Sequence, residues 1–368
     1  MIYFLGRFLQ PRFELFSFLR LVDYLSARAI GAALTAIVLT LFFTPIFIRY
    51  LHRHGFVDQW RDTGVSSSAD KAGTPAMGGA ILAGCVLFSC LLWCNLANAY
   101  LLVVLLGMAW FGFIGLMDDL AKTRARSGDR GLSESKKLLL QAAFAAALVL
   151  YLASPFSPLP PAQAGAFYIP FLKYPLFNSL WFYLPIAFLF VIVVGNSVNI
   201  TDGLDGLAIV PSLFVLGVLG FFGYLLGNAI WARYLNYPFF PGAGELAVFS
   251  SAFAGAGIGF LWFNAYPAQI FMGDTGALAI GGCMAVLSVV LKQEALFLVL
   301  GGLFVAEAVS SQIQDKIGIR WLGRRIFLRA PLHHQMQHKG LAETKVVIRL
   351  WIVAGILALT ALATLKLR

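Results

Sequence analysis

Five aspartates carry the densest potential chemistry in this sequence. Asp118 and Asp119 are adjacent, Asp202 and Asp205 lie within GNSVNITDGLDGLA at 195–208, and Asp274 stands in Gly273-Asp274-Thr275-Gly276. All five fall at the ends of apolar stretches, whole spans apart in sequence yet at one expected membrane depth. Adjacent carboxylates at the carboxyl end of a helix oppose its partial negative charge, at a cost of a few tenths to about 1 kcal/mol. A bound cation reverses that sign. Oxygen donors of this kind suit a hard ion such as Mg2+, which keeps water and substrate phosphate in its shell. The competing reading is that charged helix ends simply touch water, and for Asp274 that the carboxylate caps the helix that follows it.

Around the aspartates lie groups able to hold anions. Asn196, Asn199, Asp202 and Asp205 recur every third residue, so successive members are helical neighbours. Gly203 and Gly206 interrupt the series and suit close backbone approach to a ligand. His333 and His334 follow Pro331-Leu332 directly, where adjacent imidazoles can converge from a loop and donate to phosphate near neutral pH. Lys71 and the pair Lys136-Lys137 read equally as phosphate contacts or as flanking charges. Zinc fits poorly, with neither HExxH nor CxxC present, and without GxxxxGK[ST] a P-loop is excluded.

The elements that position these groups must be membrane helices. Of the 368 residues 60% are hydrophobic and only 12% charged, against roughly 25% charged in soluble proteins. Mean hydropathy is +0.82. That composition excludes a disordered chain, a disulfide scaffold and a nucleic-acid-binding domain. Spans of roughly 20 apolar residues are predicted at 29–48, 76–94, 100–117, 138–154, 176–195, 207–228, 246–262, 275–291, 295–313 and 346–365. The expectation is therefore an all-α polytopic membrane protein of about ten helices, one membrane domain over 1–368. Residues 1–28, with Arg7, Arg12, Glu14, Arg20 and Asp23 among Phe and Leu, read as an interfacial amphipathic segment rather than a cleaved signal. Of the 27 Lys and Arg, 18 fall in the loops 49–74, 118–137 and 315–349, which places those loops in the cytoplasm and both termini outside. Cys85, Cys90, Cys94 and Cys283 sit in apolar spans and read as small hydrophobes. The aromatic segments 155–175 and 229–245 read as interfacial supports on the outer face.

In KAGTPAMGG at 71–79, GLMDDLAK at 115–122, GNSVNITDGLDGLA at 195–208, GFLWFNAYPAQIFMGDTG at 259–276 and RIFLRAPLHH at 325–334, the sequence resembles the phospho-N-acetylmuramoyl-pentapeptide transferases. These belong to the polyprenyl-phosphate N-acetylhexosamine-1-phosphate transferase superfamily. The resemblance implies ten helices around a cytoplasmic catalytic cleft in a bacterial inner membrane. It also implies transfer of phospho-MurNAc-pentapeptide from UDP-MurNAc-pentapeptide to undecaprenyl phosphate, with release of UMP. Carried over by position, it implies catalytic roles for Asp118, Asp119, Asp274, His333 and His334, with Asp274 on Mg2+. Lys71, Lys136, Asn196, Asn199, Asp202, Asp205 and Asn264 fall on polar positions of the nucleotide and phosphate pocket, and Phe271 on the aromatic that stacks on uracil. The implied partners are the two substrates and membrane lipid, without nucleic acid, and a homodimer remains open. The sequence departs from the pattern after His334, where Gln335, Met336 and Gln337 follow, and at Leu341, where Trp is common. Two alternatives stand beside this reading. One is a GlcNAc-1-phosphate transferase acting on the same lipid. The other is a transporter, for which Glu307 is the single mid-span acid, although transport sites favour the midplane and internal repeats and no repeat is apparent.

Overall fold

The computed structural model describes residues 1–9, 20–57, 73–124 and 131–367. They form fourteen helices, α1 to α14, and one two-residue antiparallel hairpin that pairs Ala166 with Asn178 and Phe167 with Phe177. The first two helices are α1 (Ile2–Leu9) and α2 (Leu25–Arg53). Arg12 and Glu14 of the expected amphipathic segment lie outside the described residues. Among the described residues, eight helices are long and apolar enough to cross a membrane: α2, α4 (Ala99–Arg124), α5 (Glu134–Ala153), α6 (Leu180–Thr201), α7 (Ile209–Leu226), α9 (Glu245–Asn264), α10 (Gly273–Val290) and α14 (Glu343–Ala363). The chain is an all-α, multi-pass membrane protein.

The other two expected spans differ from the long helices. The helix expected over 76–94 begins only at Gly79 and ends at Trp93, giving the fifteen-residue α3. The span expected over 295–313 is broken. α11 (Glu294–Leu300) and α12 (Gly302–Gln312), which continues as π-helix over Ile313–Trp321, meet at an angle of 85°. Gly301-Gly302 stands at the break, the glycine pairing at which helices kink.

In lipid the inward face of a helix is marked by size more than by polarity, because small side chains let backbones approach. On α2, Ala32, Ala36, Thr40 and Thr44 are buried at four-residue spacing, while Ile30, Leu34, Val38 and Phe42 are exposed. The small stripe packs on α9, whose Gly255 and Gly259 face Ala33 and Thr40. α10 is the most buried of the long helices, every residue from Thr275 to Val290 being buried. Its run of Gly276, Ala277, Ala279, Gly281, Gly282 and Ala285 lets α3, α4 and α6 close around it. The first turn of this central helix carries Asp274.

Helix ends reach beyond the apolar stretches. α4 continues to Arg124, so Asp118 and Asp119 lie on the helix rather than after it. α6 continues to Thr201 and breaks at Asp202. Just before the aromatic segment 229–245, Asn228 Oδ1 accepts from the backbone N–H of Ile230 and Trp231 at 2.9 and 3.2 Å, capping the short α8 (Ala229–Tyr234). All four cysteines are buried thiols.

Candidate active site

Consecutive residues on a helix point about 100° apart, so Asp118 and Asp119 face different neighbours. Asp119 faces α10. Its Oδ1 accepts from the Asp274 N–H at 3.1 Å, and its Oδ2 accepts from the Thr275 N–H at 2.9 Å and the Thr275 hydroxyl at 2.6 Å. The helix has no side-chain cap of its own at Met272, so a carboxylate from α4 satisfies the orphan donors at its positive end. Gly115, one turn before Asp119, permits this approach, because a Cβ there would collide with the Asp274 carbonyl.

Asp118 faces the other way. Its Oδ1 accepts from the Leu132 N–H at 2.7 Å. Its Oδ2 lies 2.7 Å from Lys122 Nζ, one helical turn on, and 2.8 Å from Lys137 Nζ on α5. Both ammonium groups also reach Asp274 Oδ2, at 3.1 and 3.0 Å. Asp274 is therefore not the cap of α10. Asp119 does that work, and the Asp274 carboxylate is turned into the cluster. Oxygens of Asp118, Asp119 and Asp274 all lie within 4.8 Å of one another, a hard-donor set that fits a divalent cation.

The break after α6 brings Asp202 toward this cluster. It is half-buried, and burial, followed by the negative charges of Asp274, Asp119 and Asp205, pushes its carboxyl up to about 8. Asn199 is half-buried one turn before it. Asp205 and Asn264 brace the turn. Asp205 Oδ2 accepts from the Ala268 N–H at 3.0 Å, while Asn264 accepts from the Gly206 N–H at 3.2 Å and donates to the Ile270 carbonyl at 2.8 Å. Half-buried Phe271 donates its N–H to the Pro75 carbonyl at 2.8 Å and accepts from Gly78 at 2.8 Å, which ties the loop before α3 to the start of α10.

The histidines begin the short helix α13 (Leu332–His338) rather than lying in a loop, and their rings are nevertheless 4.3 Å apart. His333 is buried, with Nδ1 3.1 Å from Glu307 Oε2. Glu307 is thus engaged with the histidine pair and is not a solitary acid in mid-membrane. His334 is half-buried, with Nδ1 3.0 Å from Gln337 Oε1. Burial, then the neighbouring His333, lowers its basicity from the ordinary value. Gln337, one of the departures after His334, thereby acquires a role as that ring's partner.

Not every expected residue joins the cluster. Lys136 is exposed, and its neighbour Lys137 is the one that reaches the aspartates. Asn196 pairs side chain to side chain with Gln141 at 2.6 and 3.1 Å. Lys71 lies outside the described residues. Lys122 and Thr275 were not among the expected site residues, Lys137 was named only with Lys136 as a phosphate contact or a flanking charge, and Glu307 only as the acid of the transporter alternative. Lys122 has a legible signal in its four-residue spacing from Asp118, whereas Thr275 shows its role only once α10 is docked.

Residues 101–292, more than half of the chain, match glycosyl transferase family 4. The matched region contains the three clustered aspartates, both lysines and the Asp202–Asp205 turn, and stops short of the histidine pair. Members of that family act on polyprenyl phosphates and nucleotide sugars, typically with a divalent metal, a chemistry to which carboxylates for a cation and ammonium groups for phosphate oxygens both belong. The chain is a membrane-embedded member of glycosyl transferase family 4, the polyprenyl-phosphate sugar-1-phosphate transferases.

Proposed function

We propose that the protein transfers phospho-MurNAc-pentapeptide from UDP-MurNAc-pentapeptide to undecaprenyl phosphate, forming undecaprenyl-diphospho-MurNAc-pentapeptide and UMP. The observation that carries the reading is the cluster in which Asp118 and Asp274 share Lys122 and Lys137. The choice of sugar rests on the sequence contexts TDGLDGLA and PLHH, which favour the muramoyl substrate over GlcNAc.

An oxygen of undecaprenyl phosphate forms a bond to the β-phosphorus of the nucleotide sugar as the bond to the bridging oxygen breaks and UMP departs. Such a transfer calls for alignment and charge stabilisation more than for covalent chemistry from the protein. Asp118, Asp119 and Asp274 are the residues that would hold Mg2+, with Asp274 as its principal ligand. The ion, when bound, neutralises charge on the diphosphate. Lys122 and Lys137 hold phosphate oxygens against Asp118 and Asp274. Asp118 positions undecaprenyl phosphate and accepts its proton where it carries one. His333 and His334 face the phosphates from the side of the Gly203 turn. The excess of Lys and Arg in the loops 49–74, 118–137 and 315–349 supports a site that faces the cytoplasm, with both termini on the opposite side.

The test supplies purified protein and Mg2+ with undecaprenyl phosphate and either nucleotide sugar. UMP release with UDP-MurNAc-pentapeptide is the expected result, and release only with UDP-GlcNAc overturns the choice of sugar. Isotope exchange between UMP and the nucleotide sugar without lipid acceptor would replace direct attack by a two-step route.

A further inference from the structure

Glu307 and His333 are both fully buried, on α12 and at the start of α13. The two carboxylate oxygens of Glu307 accept from the His333 backbone N–H at 3.2 and 3.3 Å, and Oε2 lies 3.1 Å from ring Nδ1. A carboxylate only accepts, so the proton of this contact belongs to Nδ1. The other ring nitrogen, Nε2, is buried and has no partner among the described residues. It points at Gly203, where a Cβ would collide with it. Gly203 is itself exposed and follows Asp202 directly. The imidazole is thus gripped at one nitrogen and at its own backbone, while the opposite nitrogen is unpaired among the described residues and directed at the polar turn beside the aspartate cluster. A buried polar atom without a partner is unfavourable, so the arrangement is completed by a group that arrives at that turn.

We infer that Glu307 is a positioning residue for His333, holding its Nδ1 proton and its ring so that Nε2 is presented at the Gly203 turn to a phosphate oxygen of the substrate, to which it donates when both ring nitrogens carry protons. The inference rests on the phosphoryl transfer proposed above. Glu307 touches no substrate and acts only through the histidine, as carboxylates behind metal-bound imidazoles do.

Glu307→Gln keeps the shape and removes the acceptor-only constraint, so either tautomer of His333 becomes available. The expected result is a fall in kcat of roughly 10–100-fold, the range seen when an orienting partner of a functional imidazole is lost, with KM for the nucleotide sugar little changed. The same substitution in a His333→Ala background should have no further effect. Unchanged kcat, or an equal loss in both backgrounds, overturns the inference, because a merely structural carboxylate acts regardless of residue 333. Glu307→Asp should recover part of the loss.

A second measurement needs neither turnover nor a Glu307 variant. With five histidines in the chain, the 15N signals of His333 can be assigned by difference against His333→Gln. Protonated Nδ1 in the wild type is expected, and an unprotonated Nδ1 overturns the inference. If wild-type protein releases no UMP yet shows protonated Nδ1, the proposed reaction has failed and the Glu307 contact has not.

Discussion

The two ends of the helical bundle both bury charge, and they balance it differently. α10 carries the chain about 27 Å at 1.5 Å per residue, from Asp274 in its first turn to Lys292 just beyond its last. At the Lys292 end, charges are matched. Arg28 meets Glu245 through two bonds of 2.8 and 2.6 Å, and Glu245 also accepts from the Asn95 N–H at 3.0 Å. Lys292 donates to the Ala164 carbonyl at 2.7 Å and lies 3.2 Å from the centre of the Tyr183 ring, whose hydroxyl donates to Glu294. At the Asp274 end, Asp118 and Asp274 share two lysines while the third carboxylate, Asp119, has only the start of α10 as its partner, so one negative charge is left over. A matched pair is complete without a ligand. A cluster with surplus negative charge, beside a half-buried Asp202, is organised for a cation that the chain does not supply.

The largest expected effect tests the matched end. Arg28→Ala leaves the Glu245 carboxylate buried and uncompensated, and removing one partner of a buried pair costs about 3–5 kcal/mol. The guanidinium also lies 4.6 Å from the Tyr3 ring, so α1 should loosen with it. Thermal unfolding in detergent should show the loss, while turnover per folded molecule stays unchanged. A large fall in kcat without a fall in stability would erase the distinction between the two ends.

The reverse pattern is expected at the other end. Asp274→Asn removes surplus charge, so stability should hold or rise, while kcat falls by roughly 10²–10³-fold, the range for loss of one electrostatic stabiliser. Mg2+ should raise the melting temperature of the wild type and not that of the variant. Near-normal turnover would return Asp274 to a structural role. Next in size is the contrast within one dipeptide. Lys137→Ala removes a hydrogen-bonded charge and should lower kcat/KM by roughly 10–100-fold, whereas the exposed Lys136→Ala should change it little. Equal losses would mean that the site reaches further along α5 than its geometry indicates.

The Lys136–Lys137 contrast also marks the limit of what the sequence discloses. The aspartates are legible because charge is scarce and theirs falls at the ends of apolar stretches. The small inward stripe of α2 is legible for a related reason, since size replaces polarity as the packing signal in lipid. Which of two adjacent lysines faces the cluster depends on how α5 is rotated against α4 and α6, and nothing local fixes that rotation. The division between Asp118 and Asp119 is hidden in the same way until α10 docks against Gly115. Hydropathy also ends a span at the first charge, so it stops α4 at residue 117 while hydrogen bonding carries the helix to Arg124. The pairing of Glu307 with His333 joins residues 26 positions apart, across the irregular stretch between Trp321 and Leu332, which periodicity does not reveal.

The smallest expected effect returns to Lys292. It lies in the turn between α10 and α11, and burial, only partly opposed by the charge of Glu294, pushes its ammonium group down to about 7. In the unfolded chain a lysine keeps its proton to about pH 10. Between pH 7 and 8.5 the unfolded state therefore binds more protons than the folded one, and stability contributed by this group rises with pH. The slope approaches about 1.4 kcal/mol per pH unit at most. Lys292→Met retains the apolar stem and abolishes the titration, so the difference in stability between wild type and variant should shift in favour of the wild type across that interval. A difference independent of pH would mean that Lys292 stays charged in place, held by Glu294 as a true ion pair. The matched end would then resemble Arg28–Glu245 throughout, and the contrast with the surplus charge around Asp274 would become sharper still.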